Sequence, residues 1–239
     1  MTELLYQTDS YLKEFDARIT SVLETERAVI LDRTAFYPGG GGQPCDFGTL
    51  TVESLTYPVN RVKKQGNDVL HFLGGDGPLP PTGSAAHGTL DWARRYALMR
   101  THTALHILCG TVFRDYGALV TGGEMEPGKG RLDFEFETMR GELVREIETS
   151  INKEAAQGRE IRVQILPRAE AFQIPDLIRT KINLLPEGIT HVRTVEIVGL
   201  DLQADGGTHV RNTQEVGKIR VADYKSKGAI NKRIYVELE

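Results

Sequence analysis

The first ninety residues contain short stretches in which apolar and polar positions alternate, separated by turn-forming residues. Alternation with a period of two is typical of β-strands that bury one face. Residues 17–23, 27–32, 48–57 and 68–73 fit this pattern, whereas the Gly- and Pro-rich segment 74–88 is too broken for a long element. Several short strands at this spacing predict a small antiparallel β-barrel that closes on itself.

The pattern changes near residue 91, where apolar residues begin to recur every three or four positions. This period predicts a helix over 92–115 and a second helix over 139–157. Strand-like runs follow the second helix, and they lie at 160–166, 191–198, 218–227 and 232–238. We therefore predict the α+β class: an N-terminal antiparallel β-barrel domain over 1–90, followed by an α+β domain over 91–239 with helices against an antiparallel sheet.

The composition of the chain is that of a globular protein. Of its 239 residues, 40% are hydrophobic and 26% are charged, which excludes a mainly disordered chain. No segment approaches the roughly 20 apolar residues that a membrane-spanning helix needs, and residues 1–19 lack the apolar run of a signal peptide. The two cysteines, Cys45 and Cys109, imply no disulfide framework. We expect a cytoplasmic protein without a membrane partner, and the sequence leaves its oligomeric state open.

Positive charge is concentrated near the C-terminus, although the whole chain has a net charge of −4. Seven basic and two acidic residues lie between 211 and 233, so this segment carries +5 and the remainder −9. A local basic surface on an acidic protein can bind a phosphate backbone, although a solvated basic strand explains the same charge. The seven residues are Arg211, Lys218, Arg220, Lys225, Lys227, Lys232 and Arg233.

Two histidines in the first predicted helix, His102 and His106, are candidates for metal binding. Residues four apart project from the same helical face, so both imidazoles can reach one ion. The pair is not a zinc-protease motif, because H-E-x-x-H has a glutamate where this chain has Thr103. Cys109 follows on the same face, but about 10 Å of helix separates it from His102, and we expect it to be a core residue.

A second candidate cluster is the segment Asp205-Gly-Gly-Thr-His209. Its two glycines predict a turn, which lets both end residues converge on one point. With His102 and His106 they would form a site of three nitrogens and one oxygen, which zinc, iron or manganese accepts. A surface turn with an unrelated histidine is the alternative, and the presence of the helical pair favours the metal.

Four consecutive glycines, Gly39, Gly40, Gly41 and Gly42, precede Gln43 in the predicted barrel. Such a run costs backbone entropy, and it suits a close approach of the backbone or unusual dihedral angles. The run is neither a phosphate-binding P-loop nor a dinucleotide fingerprint, because no Lys-Ser/Thr follows and both flanking elements are β. A loop that lies against a substrate and a tight barrel corner both remain open.

Three motifs in this order, 34–48, 100–108 and 205–213, resemble the editing domain of alanyl-tRNA synthetases. The length of the chain is similar to that of the medium-length members of the free-standing AlaX family of editing proteins. The resemblance includes 91–108 and 225–238 and so covers nearly the whole chain. It implies an N-terminal barrel followed by an editing domain of the threonyl/alanyl-tRNA synthetase type. The implied reaction is hydrolysis of the ester that joins serine, or glycine, to alanine tRNA.

The resemblance also implies roles for individual residues. His102 and His106 match the HxxxH metal ligands of the family, and His209 matches the histidine of its CxxxH motif. Thr34 matches a threonine associated with sensing the serine hydroxyl, and Gln43 matches the glutamine that closes the GGGQ motif near the pocket. A threonine that bonds the serine hydroxyl would spare alanine, which lacks that group.

The chain departs from the family at Asp205, which stands where the family has the cysteine of Cys-Gly-Gly-Thr-His. A carboxylate is a harder ligand than a thiolate and holds zinc less tightly. Zinc remains the expected cofactor, and the alternatives are another divalent metal or a weakened site. The predicted function is trans-editing of mischarged alanine tRNA by metal-assisted deacylation. Two other functions stay open: a tRNA-binding homologue without catalysis, and a metallohydrolase that acts on a small ester.

Overall fold

The computed structural model describes residues 1–180, 185 and 188–239. The chain divides into two compact units, Met1–Ala97 and Leu98–Glu239. The division falls inside helix α1 (Trp92–Tyr116), whose bounds agree with the predicted helix to within one residue. None of the helices in the described part of the chain is both long and apolar enough to cross a membrane.

The strands of the first unit are β1 (Glu3–Leu4), β2 (Glu14–Leu23), β3 (Ala28–Leu31), β4 (Arg33–Thr34), β5 (Gly48–Val52), β6 (Leu55–Gln65), β7 (Asp68–Leu73) and β8 (Ala85–Leu90). Six of them close into an antiparallel barrel in the order β2-β3-β7-β6-β5-β8, which confirms the predicted barrel. The run 48–57 is not one strand but a hairpin, because Glu53 adopts a positive φ in the turn between β5 and β6. Strand β8 begins within segment 74–88, which was predicted to hold no long element, and it is six residues long.

Alternate residues of the barrel strands point inward, because successive side chains of a strand lie on opposite faces. They form one apolar core, in which seven side chains larger than alanine are at most 1% exposed. These are Ile19, Val29, Leu31, Phe36, Leu50, Val59 and Val69. This core carries the glycine-rich loop between β4 and β5.

A fully buried ion pair ties this loop to the start of α1 within the first unit. The Arg95 guanidinium donates to the Asp46 carboxylate at 3.0 Å, and its other nitrogens donate to the backbone oxygens of Ser10 and Ala35. Asp46 also accepts the Tyr37 N–H at 2.6 Å. A buried guanidinium is tolerated when its charge is paired and its N–H groups are bonded, as they are here.

The second unit holds the rest of α1 and further helices and strands. They are β9 (Val120–Glu126), β10 (Lys129–Glu135), α2 (Gly141–Ala156), β11 (Ile161–Pro167), α3 (Arg168–Ala171), β12 (His191–Ile197), β13 (Asp201–Ala204), β14 (Ile219–Ser226) and β15 (Asn231–Leu238). The described strands form a four-stranded sheet, β14-β15-β10-β9, and a three-stranded sheet, β11-β12-β13. The α+β class is confirmed. The arrangement differs from the predicted single sheet, and β9, β10 and β13 were not predicted.

Helix α2 is amphipathic and packs on β14. Val144, Ile147 and Ile151 recur at three- and four-residue spacing and are buried. Asn152 adds specificity, because its side chain both donates to the Ile219 oxygen at 2.7 Å and accepts the Ile219 N–H at 2.9 Å. The apolar stripe and this paired bond fix the helix against the edge of the sheet.

Candidate metal centre

Four side chains that the sequence nominated as metal ligands converge within the second unit. His102 and His106 lie one turn apart on α1, and Asp205 and His209 lie in the loop after β13. One ligand atom from each residue lies within 4.8 Å of all the others. The three histidines are buried and Asp205 is half-buried, so the donors face one another and not bulk water.

The loop after β13 is shaped by Asp205 itself. Its Oδ2 accepts the Gly207 N–H at 2.8 Å, which closes an Asx turn. The same oxygen lies 3.0 Å from Nε2 of His209, and Oδ1 lies 3.6 Å from Nε2 of His102. One carboxylate therefore holds the turn and also reaches an imidazole from each of the two motifs.

The three imidazole rings of the cluster are in mutual contact. His102 and His209 stack with their centroids 4.2 Å apart, and His106 lies edge-on to them at 5.0 and 4.6 Å. Three protonated rings at these distances would repel one another strongly. The packing therefore favours neutral rings around a single shared positive charge, such as a metal ion.

Burial and nearby charges set the protonation of the cluster. Burial lowers the pKa of His102 well below its ordinary value and the pKa of His209 to about 4. Burial alone would raise the pKa of Asp205, but the electrostatic interaction with His102 and the hydrogen bond to His209 hold it well below its usual range. Burial also lowers the pKa of His106, yet the nearby Asp201 and Asp205 carboxylates raise it overall. An ionised carboxylate and neutral imidazoles are the forms that bind metals.

Thr103, which follows His102 in sequence, supports the histidine of the other motif. Its Oγ1 lies 3.1 Å from Nδ1 of His209 and accepts the Val210 N–H at 3.3 Å. When Nδ1 carries the ring proton, Thr103 accepts it and Nε2 is left to bind an ion. In the sequence, Thr103 indicated only that the helix does not carry a zinc-protease motif. Its position between two helical ligands was the signal for this role.

The Asp201 carboxylate lies behind His106, and sequence reasoning missed it. Its Oδ2 lies 3.3 Å from Nδ1 of His106, and the carboxylate is fully buried. Gln203 donates to Oδ2 at 2.6 Å, and Arg179 donates to Oδ1 at 3.3 Å. A carboxylate behind a ligand histidine fixes the orientation of its ring.

Arg193 on β12 supports the fourth side chain of the cluster, Asp205. Its Nη1 donates to the main-chain oxygen of Asp205 at 2.9 Å and lies 3.6 Å from Oδ2. The guanidinium is almost fully buried. It therefore partly neutralises the Asp205 carboxylate and fixes the backbone that carries it.

The donor set fits a divalent transition metal. Three imidazole nitrogens and one carboxylate oxygen are accepted by zinc, and also by iron and manganese. The hydroxyl and carboxylate groups behind the histidines are the supports that such sites use. Cys109 does not belong to the cluster: it is 4% exposed, and burial raises its pKa, so the prediction of a core residue is confirmed.

Thr34, the predicted sensor of the serine hydroxyl, lies in the first unit and has no exposed surface. Its Oγ1 lies 2.8 Å from Nε2 of His71 and accepts the Phe36 N–H at 3.1 Å. Nδ1 of His71 faces the Val29 carbonyl at 3.3 Å, which can only accept, so Nδ1 carries the ring proton. Burial lowers the pKa of His71 to about 4, so the neutral ring accepts the Thr34 O–H at Nε2.

The glycine run forms a tight turn. All four residues of Gly39–Gly42 have a positive φ, between 57° and 140°, which only glycine adopts readily. Gly40 and Gln43 exchange backbone hydrogen bonds of 3.0 and 2.9 Å that close the turn. Gln43 is buried, and the tip from Gly40 to Gly42 is exposed. The turn explains why glycine is needed, and contact with a substrate stays a prediction.

The predicted basic segment at the C-terminus is largely compensated by acidic partners. Four of its seven cations are in ion pairs, and a fifth, Lys232, is buried with its ammonium donating to two backbone oxygens at 2.7 and 2.8 Å. The ion pairs are Lys218–Glu239, Arg220–Glu237, Lys225–Asp223 and Arg233–Asp133. A role of these residues in tRNA binding stays a prediction.

Two parts of this chain match known protein families. Residues 7–94 match the family "tRNA synthetases class II (A)", and residues 192–235 match "Threonyl and Alanyl tRNA synthetase second additional domain". The chain is 42% identical over 239 residues to "Alanyl-tRNA editing protein AlaX-M" of Saccharolobus solfataricus, with 98% of each chain covered. It is 36% identical to the protein of the same name from Methanosarcina mazei, with 100% of this chain and 97% of that one covered.

The chain also matches one part of a larger enzyme. It is 37% identical over 227 residues to "Alanine--tRNA ligase" of Pyrococcus furiosus, and the match covers 92% of this chain and 24% of the ligase. The fold and the site thus define a domain of the threonyl- and alanyl-tRNA synthetase type. The full-length relatives narrow this class, and the chain belongs to the AlaX-M family of alanyl-tRNA editing proteins.

Proposed function

We propose that this protein is a trans-acting deacylase that hydrolyses the ester between alanine tRNA and a wrong amino acid, chiefly serine and also glycine. The observation that carries the proposal is the convergence of two distant motifs, His102 with His106 and Asp205 with His209, on one buried cluster of metal ligands. The names of the AlaX-M relatives supply the substrate class. The proposed location is the cytoplasm, and the proposed functional division is a barrel domain over 1–90 and an editing domain over 91–239.

Zinc is the proposed cofactor, held by nitrogen atoms of His102, His106 and His209 and by the carboxylate of Asp205. When bound, it supplies a Lewis acid that activates a water molecule or anchors the amino-acid group of the substrate. Burial keeps His102 and His209 neutral, so their lone pairs are available. Thr103 holds the distal ring nitrogen of His209 and so fixes the ligating one.

Direct attack of water on the ester carbonyl is the proposed route, with the tRNA ribose oxygen as leaving group. A covalent route would need an activated nucleophile beside the ligands. The nearest thiol, Cys109, has a raised pKa because it is buried, and it accepts a hydrogen bond from Gln203 at 3.3 Å. A protonated thiol is a poor nucleophile. Water attack therefore agrees better with the side chains at the site.

Selectivity for serine is assigned to Thr34. Its proton is committed to His71, and its oxygen already accepts the Phe36 N–H, so it can take one further bond and only as acceptor. The serine hydroxyl can donate that bond, and alanine has no such group. Because Thr34 has no exposed surface, this contact requires movement of the neighbouring backbone. Gln43 and the exposed tip of Gly39–Gly42 are assigned to the substrate loop.

The seven C-terminal cations listed above are the proposed tRNA contacts in the second unit. Most of them would have to exchange an acidic partner for a phosphate, because four are ion-paired in the free protein. Arg211 and Lys227 are exposed. They are therefore the first of the seven residues to substitute in a test of tRNA binding.

Deacylation of seryl-tRNA(Ala) tests the proposal. The purified protein is assayed as isolated, after chelation and after zinc is restored. We expect release of serine but not of alanine, loss of activity on chelation, and no activity in His102→Ala. His191→Ala is the matched control, because His191 is an exposed histidine of the same unit, and it should retain activity. Full activity after chelation would refute a role of the metal.

A second candidate function rests on Asp205. Because this residue stands where the resembling family has a cysteine, the chain could bind alanine tRNA with impaired hydrolysis. Two results together would support this second function. The native protein would bind alanine tRNA without hydrolysing the ester, and Asp205→Cys would hydrolyse it. Rapid serine release by the native protein would exclude it.

A further inference from the structure

Strand β6 carries three exposed cations outside the predicted basic segment: Arg61, Lys63 and Lys64. Within residues 1–180, 185 and 188–239, none of the three has an acidic side chain at ion-pair distance. They differ in this respect from most of the C-terminal cations. Uncompensated charge attracts an anionic partner over a longer range than charge in a neutral pair.

The register of β6 places two of these cations on the outer face of the barrel. Arg61 pairs with Phe72 and Lys63 with Leu70, whereas Val62 between them belongs to the barrel core. Residues two apart on a strand lie about 6.8 Å apart along it, on the same face. Arg61 and Lys63 therefore form a short row of positive charge on one face. Lys64 lies near the end of β6, and by the same alternation it belongs to the opposite face, where it is exposed.

The row is partly preorganised. The central carbon of the Arg61 guanidinium lies over the Phe72 ring, 4.4 Å from its centre. This cation–π contact limits the positions of the guanidinium, whose planar N–H groups match the geometry of phosphate oxygens. Asp68, the acidic residue of the β6–β7 hairpin, lies 3.0 Å from the Met1 amino group and so has its own partner.

We propose that the outer face of β6, with Arg61 and Lys63, binds the phosphate backbone of the tRNA substrate, and that exposed Lys64 at the end of the strand adds a third phosphate contact. This inference rests on the proposed function, which supplies a tRNA as ligand. Each unpaired cation that neutralises a phosphate releases condensed counterions, which makes binding favourable and dependent on salt. Contacts of this kind position a nucleic acid without reading its bases.

The test uses the full chain with Arg61→Gln, Lys63→Gln and Lys64→Gln combined. The matched control combines Arg33→Gln, Lys129→Gln and Arg162→Gln, which removes three exposed cations that each have an acidic partner. Both variants change the net charge equally. The Kd for uncharged alanine tRNA is measured by fluorescence anisotropy at a series of potassium chloride concentrations.

We expect the β6 variant to lower the slope of log Kd against log salt by about two to three units, because three phosphate contacts are lost. Its Kd at low salt should rise by about tenfold or more. The control should change the slope by less than about one unit. Lys63→Gln alone, a change at an exposed position, should lower the slope by about one unit, so the inference is testable even if the triple variant folds poorly.

Equal slopes for the β6 variant and the control would overturn the inference. So would a β6 variant that loses binding to phosphatidylserine vesicles while its tRNA binding is unchanged, since that result would assign the surface to a membrane. A different result tests the proposed function. A native protein that binds tRNA but releases no serine would refute deacylation, and the slope comparison would still decide the role of β6.

Discussion

The buried His71 should make the first unit less stable as the pH falls below neutrality. Burial lowers the pKa of this histidine from 6.5 to about 4. Between these two pH values the unfolded chain binds a proton that the folded barrel does not, so acid favours unfolding. Linkage of the two pKa values gives a loss of about 2 kcal/mol between pH 7 and pH 5 from this residue alone.

The contacts of His71 explain why the folded ring resists protonation. Its Nε2 accepts the Thr34 O–H at 2.8 Å, and its Nδ1 faces the Val29 oxygen at 3.3 Å. A second ring proton would turn Nε2 into a donor and would oblige the Thr34 hydroxyl to reverse. The charge would also sit in a core with no exposed surface, which is the larger cost.

Urea unfolding at pH 7 and pH 5 tests this reasoning when the native chain is compared with His71→Gln. The glutamine amide can bond Thr34 and Val29 but does not titrate. Between pH 7 and pH 5 we expect the free energy of unfolding of the native chain to fall by about 2 kcal/mol more than that of His71→Gln. The buried histidines of the metal centre titrate in both proteins, so their contributions to the stability cancel in the comparison. His87→Gln, at an exposed histidine, serves as control. An identical difference at both pH values would refute the reasoning.

Three further changes should have measurable effects. Asp201→Asn should weaken metal binding about 10- to 100-fold in competition with a chromogenic chelator, because it removes the carboxylate behind His106; unchanged affinity would contradict that role. Asp46→Asn leaves the buried Arg95 guanidinium without a countercharge and should lower the free energy of unfolding in urea by about 3–5 kcal/mol. Gly88→Ala would place a methyl group 2.3 Å from a buried phenylalanine ring and should cost about 1–3 kcal/mol, seen as a lower Tm by calorimetry. An unchanged Tm would show that the barrel shifts locally to accommodate the added methyl group.

Hydrophobic periodicity predicted the elements whose burial repeats regularly along the chain, such as α1 and most barrel strands. It failed for β9 and β10, which contain glycines that strand propensity disfavours. Those glycines make room for neighbours: a Cβ on Gly123 would lie 2.9 Å from Leu132, and one on Gly130 would lie 3.2 Å from Leu105. Strand formation there follows from tertiary packing, which local periodicity does not record.

The sequence predicted the metal ligands because their spacing carries the geometry: four residues in a helix, and four across a turn. The supports behind them could not be found in this way. Asp201 reaches His106 from a different element, and the pairing depends on how β13 lies beside α1 within the second unit. Counting charge along the chain misses acidic partners for a similar reason. The partner of Arg233 is Asp133, one hundred residues away, so the segment is less basic in space than its sequence suggests.

Asp205 is more than a different ligand placed in an otherwise unchanged loop. Its Oδ2 closes the turn with the Gly207 N–H and also faces His209, while Oδ1 faces His102. A thiolate has one donor atom and could not make all three contacts. The carboxylate therefore couples the shape of the loop to the position of the ligand, and Arg193 strengthens this coupling because it contacts both the backbone and the side chain of Asp205. An oxygen ligand at this position is thus compatible with an ordered metal centre, even though oxygen binds zinc less tightly than sulfur does.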